Sequence, residues 1–120
     1  MANPNIASIS NILGATAYST PANTSAANLL VNGQGSGKVY KINTIYAANI
    51  NGNAADIDVI INDSGGTDRY LAKDMMVVGK STQIVVSKDT YIYLGENETL
   101  KVRTNTASYI TFMVSYEEMS

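Results

Sequence analysis

The first stretch that could do chemistry is the glycine-rich run Gly33-Gln34-Gly35-Ser36-Gly37-Lys38. A phosphate-binding loop would need a glycine five residues before Gly37 and a Ser or Thr after Lys38, where the sequence has Asn32 and Val39. Such a loop also leads into a helix N-terminus, whereas a strand pattern follows this run. We therefore predict a plain hairpin or crossover loop rather than a nucleotide site.

A group of aspartates is the next candidate, in this case for a Ca²⁺ site. Asp56 and Asp58 fall on the polar side of an alternating segment, and Asp63 and Asp68 follow closely. Ca²⁺ binds carboxylate and carbonyl oxygens, so these residues would suffice if backbone carbonyls joined them. The spacing does not match the EF-hand loop. A solvated strand face, which would also discourage edge-to-edge aggregation, is therefore the favoured interpretation.

Paired carboxylates could also hydrolyse glycosidic bonds, and Glu96 with Glu98 and Glu117 with Glu118 are such pairs. This chemistry needs an enclosed sugar cleft, which usually carries aromatic platforms, and the chain has no Trp. It also has no His and no Cys, which removes the usual general base, the commonest zinc ligand and all thiolate chemistry. We therefore predict that the protein is not an enzyme and binds no cofactor or metal.

The composition is that of a small globular protein. Of its 120 residues 45% are hydrophobic and 15% charged, so the chain can bury a core without disulfides or metals. A net charge of −2 argues against a nucleic-acid partner. No apolar run reaches the roughly 18–20 residues that span a bilayer. The opening Met1–Asn5 lacks the features of a signal peptide, so we expect synthesis in the cytoplasm and no membrane partner.

Alternation with a period of two is the clearest structural signal, and it predicts strands over Tyr40–Ile50 and Ala55–Ile61. In the first, the even-numbered residues from 40 to 50 are predicted to share one face, with Lys41, Asn43 and Asn49 on the other. In the second, the odd-numbered apolar residues face one way and the two aspartates the other. Asn51-Gly52-Asn53 lies between the two segments and predicts a hairpin turn.

Shorter segments of the same kind fill the rest of the chain. They are Ile6–Ile9, Ala15–Tyr18, Leu29–Val31, Arg69–Ala72, Met75–Val78, Gln83–Val86, Tyr91–Leu94, Leu100–Thr104 and Ile110–Tyr116. Gly14 is interpreted as a β-bulge. Short strands separated by turn signals predict an all-β protein. We expect one domain over residues 1–120, a two-layer antiparallel β-sandwich of jelly-roll or Ig-like type with about eight or nine strands.

The surface of such a fold would be rich in small polar residues and Tyr, a composition that suits protein interfaces. Met75 and Met76 have two open interpretations, as core filling and as an adaptable contact surface. Tyr109 and Tyr116 are further contact candidates, although Tyr also simply marks β-structure.

Residues 1–9 are predicted to form an extended N-terminal arm, because the segment carries little charge and the residue before a proline avoids the helical region. Its predicted contact residues are Asn3, Pro4, Asn5 and Ile6.

Several phrases of the sequence resemble one family, the small virion structural proteins of tailed phages, especially those that infect cyanobacteria. The phrases are Met1–Ile6, Val39–Ile50, Ala55–Asn62, Tyr70–Lys73 and Val114–Glu118. The resemblance covers nearly the whole chain. It implies a β-sandwich present in many copies on a virion, in a head-decoration, neck, or tail-fibre or spike position.

The function expected from these observations is that of a non-catalytic structural protein of a tailed-phage virion. A capsid decoration or cement protein that binds the assembled shell is favoured. The alternative is a tail-fibre, spike or neck component, which could bind carbohydrate or a receptor. The expected partners are other virion proteins, such as the major capsid protein or neck and tail proteins. A homo-oligomer is also expected, with a trimer as one form, and the location would be the virion.

Overall fold

A computed structural model describes residues 8–120, and every regular element of this part except short 3-10 turns is a β-strand. The strands are β1 (Ile12–Ser19), β2 (Ala27–Asn32), β3 (Val39–Asn49), β4 (Ala55–Asn62), β5 (Asp68–Val77), β6 (Thr82–Val86), β7 (Ile92–Leu94), β8 (Glu98–Thr104) and β9 (Ile110–Met119). The prediction of an all-β, two-layer antiparallel sandwich is confirmed. The predicted arm residues Asn3, Pro4, Asn5 and Ile6 lie outside the described residues.

The strands form two antiparallel sheets. Sheet A has the order β1-β9-β3-β6, with β7 also paired to β3, and sheet B has the order β2-β8-β4-β5. A short 3-10 helix over Lys88–Thr90 separates β6 from β7, and both strands lie along the same edge of β3. Counted as one interrupted strand, they leave eight strands in the orders 1-8-3-6 and 2-7-4-5. This connectivity, which crosses between the layers at most turns, is that of a jelly roll rather than an Ig-like sandwich.

The core lies between the two sheets and is built by alternate residues of the long central strands. Ile110, Phe112 and Val114 of β9 face it and are fully buried, as are Leu100 and Val102 of β8. Their neighbours in sequence point outward, so the predicted alternation of these two strands is confirmed. Burial of large apolar side chains, at about 1.5–3 kcal/mol each, holds the two layers together.

The predicted faces of β3 are wrong after Ile42, because a register shift lies between Ile42 and Thr44. A bulge adds one residue to the strand and reverses which side chains point inward. Tyr40 and Ile42 share one face as predicted, and it is the core face, but beyond the bulge the buried residues are Ile45, Ala47 and Asn49. Thr44, Tyr46 and Ala48, which were predicted to share a face with Tyr40 and Ile42, therefore lie on the opposite face.

The Asn51-Gly52-Asn53 turn is not a hairpin, because β3 belongs to sheet A and β4 to sheet B. Asn49 directs this crossover. Its Nδ2 donates to the carbonyl oxygens of Asn53 (2.8 Å) and Val77 (3.0 Å), and its Oδ1 accepts from the Asn51 N–H at 3.0 Å. A buried amide with all these bonds fixes the chain's exit from the sheet.

Three smaller predictions also need correction. The segment Arg69–Ala72 and residues 75–77 of the segment Met75–Val78 are parts of one strand, β5. Gly14 is not a bulge, since β1 and β9 pair without a register shift along their whole length. Of the predicted strand Ile6–Ile9, the described residues Ser8 and Ile9 are not in a strand.

Candidate binding face

The face of sheet A that points away from sheet B, hereafter the outer face, carries one large side chain from each of four strands in a single line. Met113 of β9 pairs with Tyr18 of β1 on one side and with Tyr46 of β3 on the other. Tyr46 in turn pairs with Ile84 of β6. Directly paired residues of antiparallel strands point to the same face, so these four side chains form a continuous line, which we call the apolar row.

The apolar row is accessible to a partner. The exposed fraction is 74% for Tyr18, 53% for Ile84 and 40% for Met113, and Tyr46 is half-buried between its neighbours. The β3 bulge is responsible for this arrangement, because it turns Tyr46 outward. A row of large apolar side chains in water is costly to leave uncovered. The row is therefore a candidate contact surface.

Small uncharged residues flank the apolar row on both sides. Thr111, Ala48 and Thr82 pair across one flank, and the Thr20 hydroxyl lies 2.8 Å from that of Thr111. Thr16, Ser115 and Thr44 pair across the other flank. None of the side chains in these three lines is charged. The result is a neutral patch of aromatic, aliphatic, Met, Thr, Ser and Ala side chains.

One end of the outer face is different, and we call it the charged end. Here Gly14, Glu117, Lys41 and Tyr93 pair across the sheet. Asn43 Nδ2 donates to Glu117 Oε1 at 3.0 Å. These polar groups lie beside two exposed aromatic rings rather than within the neutral patch.

The two rings of the charged end belong to Tyr91 and Tyr93. They meet edge to face, with centroids 5.7 Å apart. Lys41 Nζ lies 4.4 Å from the centroid of the Tyr91 ring, within cation–π distance. Each Tyr is 45% exposed.

The outer side of sheet B carries a cluster of charged side chains, and its centre is Asp58. This residue is buried, with 1% exposure, rather than lying on a solvated strand face as predicted. Its Oδ2 lies 3.3 Å from Arg103 Nη1 and 3.4 Å from Lys73 Nζ, and its Oδ1 accepts from the Asp74 N–H at 2.8 Å. The negative charge of Asp58 raises the pKa of Lys73. The long side chains of Lys73 and Arg103 cover the Asp58 carboxylate. The alternating pattern of the segment that contains Asp58 could not predict this burial.

The glycine-rich run and Asp63, which were also candidates for chemistry, form hydrogen bonds that stabilise connections between strands. The glycine-rich run is a crossover from β2 to β3, as predicted, and its Gly37 N–H donates to Glu96 Oε2 at 2.7 Å. Asp63 Oδ1 accepts from the N–H groups of Gly65 and Thr67, both at 3.0 Å. The bond from Thr67, followed by the one from Arg69, lowers the pKa of Asp63. Within residues 8–120, no three acidic side chains come together in a way that could hold a metal ion.

The predicted contact residues do not form one surface. Met75 is half-buried against the core, while Met76 is 61% exposed on the outer side of β5 in sheet B. Tyr109 and Tyr116 both pack against the core, and the Tyr116 ring lies 5.3 Å from that of Tyr40. Their predicted role in contacts remains a prediction.

The residues of the apolar row were missed because pairing between distant strands brings them together. The one local signal was the alternation of β9, which places Met113 opposite the buried Phe112 and Val114.

The chain matches no protein-family model, and neither curated proteins nor solved structures gave a match. In the part of the chain that the structure describes, no helix is long and apolar enough to cross a membrane.

Proposed function

We propose that this chain is a non-catalytic structural protein of a tailed-phage virion. Its favoured role is that of a capsid decoration or cement protein that binds the assembled shell through the outer face of sheet A. The observation that carries the proposal is the apolar row with its two uncharged flanks. The alternation of the strands, the topology and the sequence phrases that resemble phage virion proteins support it.

The composition of the outer face suits contact with another protein. Interfaces are enriched in Tyr and Met and depleted in Lys, Glu and Asp; the apolar row contains Tyr and Met, and none of the three neutral lines contains Lys, Glu or Asp. The face is also rigid, because its residues lie on paired strands of one sheet. A rigid face loses little conformational freedom on binding, so more of the contact energy remains as affinity.

A four-stranded face is a modest contact area, which fits a protein displayed in many copies. Each site would bind weakly by itself, and the regular shell would supply many equivalent sites. A protein that binds only the assembled shell stabilises that shell by mass action. The jelly roll is a fold used by viral capsid and lectin domains, so it accords with this role without determining it.

The proposal is tested by co-sedimentation of the purified protein with tailed-phage heads assembled without it. The informative variant combines Tyr18→Ala with Tyr46→Ala, which removes two of the four large side chains of the apolar row. Its matched control is Tyr70→Ala, which removes an exposed Tyr from β5 in sheet B. We expect the wild type and the control to bind and the double variant to lose most of its binding. Absence of binding by the wild type, or equal binding by all three proteins, would contradict the proposal.

The charged end supports a second candidate function, in which the protein is a fibre, spike or neck component that binds carbohydrate. Tyr91 and Tyr93 offer exposed aromatic rings, and Lys41, Asn43 and Glu117 offer hydrogen-bonding groups beside them. Sugars could contact the rings with their C–H groups and the polar side chains with their hydroxyls. A glycan array would show binding that is lost in Tyr91→Ala and Tyr93→Ala and retained in Tyr18→Ala. An array with no signal would remove this candidate.

A further inference from the structure

Strand β1 leaves one edge of sheet A open. Within residues 8–120 it pairs only with β9, so alternate N–H and C=O groups on its other side have no strand to bind. Six of its eight residues are exposed, and none is charged or proline. Such an edge is a template for pairing with another strand.

The other three edges of the sandwich carry features that discourage pairing. Strand β5 contains Asp68, Arg69, Lys73 and Asp74, and Asp74 has a positive φ of 50°. The β6–β7 edge is interrupted by the 3-10 helix. Strand β2 is short and has a register shift between Asn28 and Leu30. Charges, bulges and short length are the usual protections of an edge strand, and β1 has none of them.

We propose that β1 pairs in antiparallel orientation with β1 of a second copy of this chain, across a twofold axis at Ala15. The pairing joins two copies of sheet A into one continuous sheet. It would enlarge the binding face proposed above, but it rests on the β1 edge alone and not on that function.

The register follows from the two faces of β1. Residues opposite each other must point to the same face, so even-numbered residues must meet even-numbered ones. An axis at Ala15 places Tyr18 opposite Ile12 of the second copy on the outer face, and Leu13 opposite Ala17 on the inner face. Tyr18, Leu13 and Ile12 have exposed fractions of 74%, 60% and 57%. This register therefore covers the three large apolar side chains of the strand.

The nearest alternative register is less favourable. An axis at Thr16 would place Tyr18 opposite Gly14 and Ile12 opposite Thr20. The aromatic ring would then face a residue without a side chain, and Ile12 would lose its apolar neighbour. Aromatic and β-branched side chains across a strand pair attract each other, which favours the axis at Ala15.

A second copy suits this edge better than a strand of another protein because β1 complements itself. Its lack of charge means that no like charges meet when two copies pair. A twofold axis perpendicular to the sheet also keeps both outer faces on the same side. The two apolar rows of the dimer could therefore contact one partner surface together.

The test uses single cysteine variants, which are unambiguous because the chain has no Cys. Ala15→Cys places the thiols of two paired copies opposite each other. Thr82→Cys is the matched control, an exposed position on the other edge of sheet A. Under mild oxidation we expect Ala15→Cys to form the disulfide dimer at least about tenfold faster, because opposed Cβ atoms lie about 4.5–5.5 Å apart. Equal rates for the two variants would overturn the proposal.

A second measurement needs no cross-link. Sedimentation of the wild type over a concentration series should show a monomer–dimer equilibrium. Thr16→Lys should weaken dimerisation by about tenfold or more, because two new positive charges meet near the axis, and Thr82→Lys should leave it unchanged. Circular dichroism should show folded protein for every variant.

A wild type that is monomeric at all concentrations, a trimer, or a dimer that Thr16→Lys does not weaken would overturn the pairing. A monomer that still binds phage heads would overturn the pairing alone. A protein that dimerises through Ala15 but does not bind phage heads would overturn only the function proposed above.

Discussion

Tyr18 on β1 stands directly opposite Met113 on β9, on the side of sheet A that faces away from the core. The pair begins a line of large apolar side chains that continues across the sheet through Tyr46 to Ile84. The strands that carry these side chains are paired with each other and pack against the core on their other face. The apolar row therefore has its arrangement before a partner binds.

Met113→Lys should separate binding from stability. Met113 is 40% exposed, so we expect the free energy of unfolding to change by no more than about 0.5 kcal/mol. The charge in the middle of the neutral patch should abolish binding to phage heads. Tyr70→Lys on sheet B is the matched control and should bind normally. Urea unfolding and co-sedimentation provide the two measurements, and normal binding by Met113→Lys would count against the outer face as the contact surface.

Asp58→Ala should destabilise the fold by about 2–3 kcal/mol. The main loss is the acceptor of the Asp74 N–H, because the ion pairs with Lys73 and Arg103 are weakened by the solvent exposure of those two side chains. Asp56→Ala, on the same strand, is the control and should change stability by no more than about 0.5 kcal/mol. Chemical denaturation would show the difference. Similar stabilities for both variants would mean that the Asp58 network contributes little.

Gly79→Ala should destabilise the protein by about 1–3 kcal/mol. A Cβ atom at this position would collide with the carbonyl group of Gly52, in the crossover between β3 and β4. Gly52→Ala is the control, since a Cβ atom there would have no heavy atom within 4 Å. Thermal melting of the two variants should show a lower midpoint only for Gly79→Ala. An unchanged melting midpoint for Gly79→Ala would show that the β3–β4 and β5–β6 connections are not packed so closely.

Tyr40 should make the fold less stable in alkaline solution. Burial, and then the charge of Glu118 and the hydrogen bond to it, raises the pKa of Tyr40 above its ordinary value of 10.0. The folded protein therefore keeps this proton to a higher pH than the unfolded chain. The stabilisation of the fold by protonated Tyr40 is fully present below about pH 10 and is lost as the pH rises further.

Tyr40→Phe is the variant that tests this pH dependence. Its unfolding free energy should fall less steeply than that of the wild type above about pH 10. The measurement is urea unfolding at several pH values between 8 and 11, compared by slope rather than by absolute stability. Parallel slopes for the two proteins would contradict the assignment.

Local patterns predicted the sandwich because most strands keep one phase along their length. In β8 from Leu100 onward, and in β9 as far as Val114, buried and more exposed residues alternate, so the face that carries Leu100 or Phe112 could be recognised from sequence. In β3, one additional residue near Asn43 reverses the phase, and the sequence carries no clear mark of it. The outward position of Tyr46 therefore could not be predicted.

Contacts between distant residues explain the other differences. The burial of Asp58 depends on Arg103, 45 positions away, and on Lys73, 15 positions away. The apolar row likewise requires the register of four strands at once. The jelly roll was one of two predicted topologies. Only the order in which the strands pair within each sheet distinguishes it from the Ig-like topology.

The most direct test of the proposed role is a cryo-electron microscopy map of a tailed-phage particle that incorporates this chain. We predict repeated copies of the sandwich on the particle, with Tyr18, Tyr46 and Met113 against a neighbouring virion protein. A map in which these side chains face solvent while another surface makes the contact, or in which the particle contains no copy of the chain, would contradict the account.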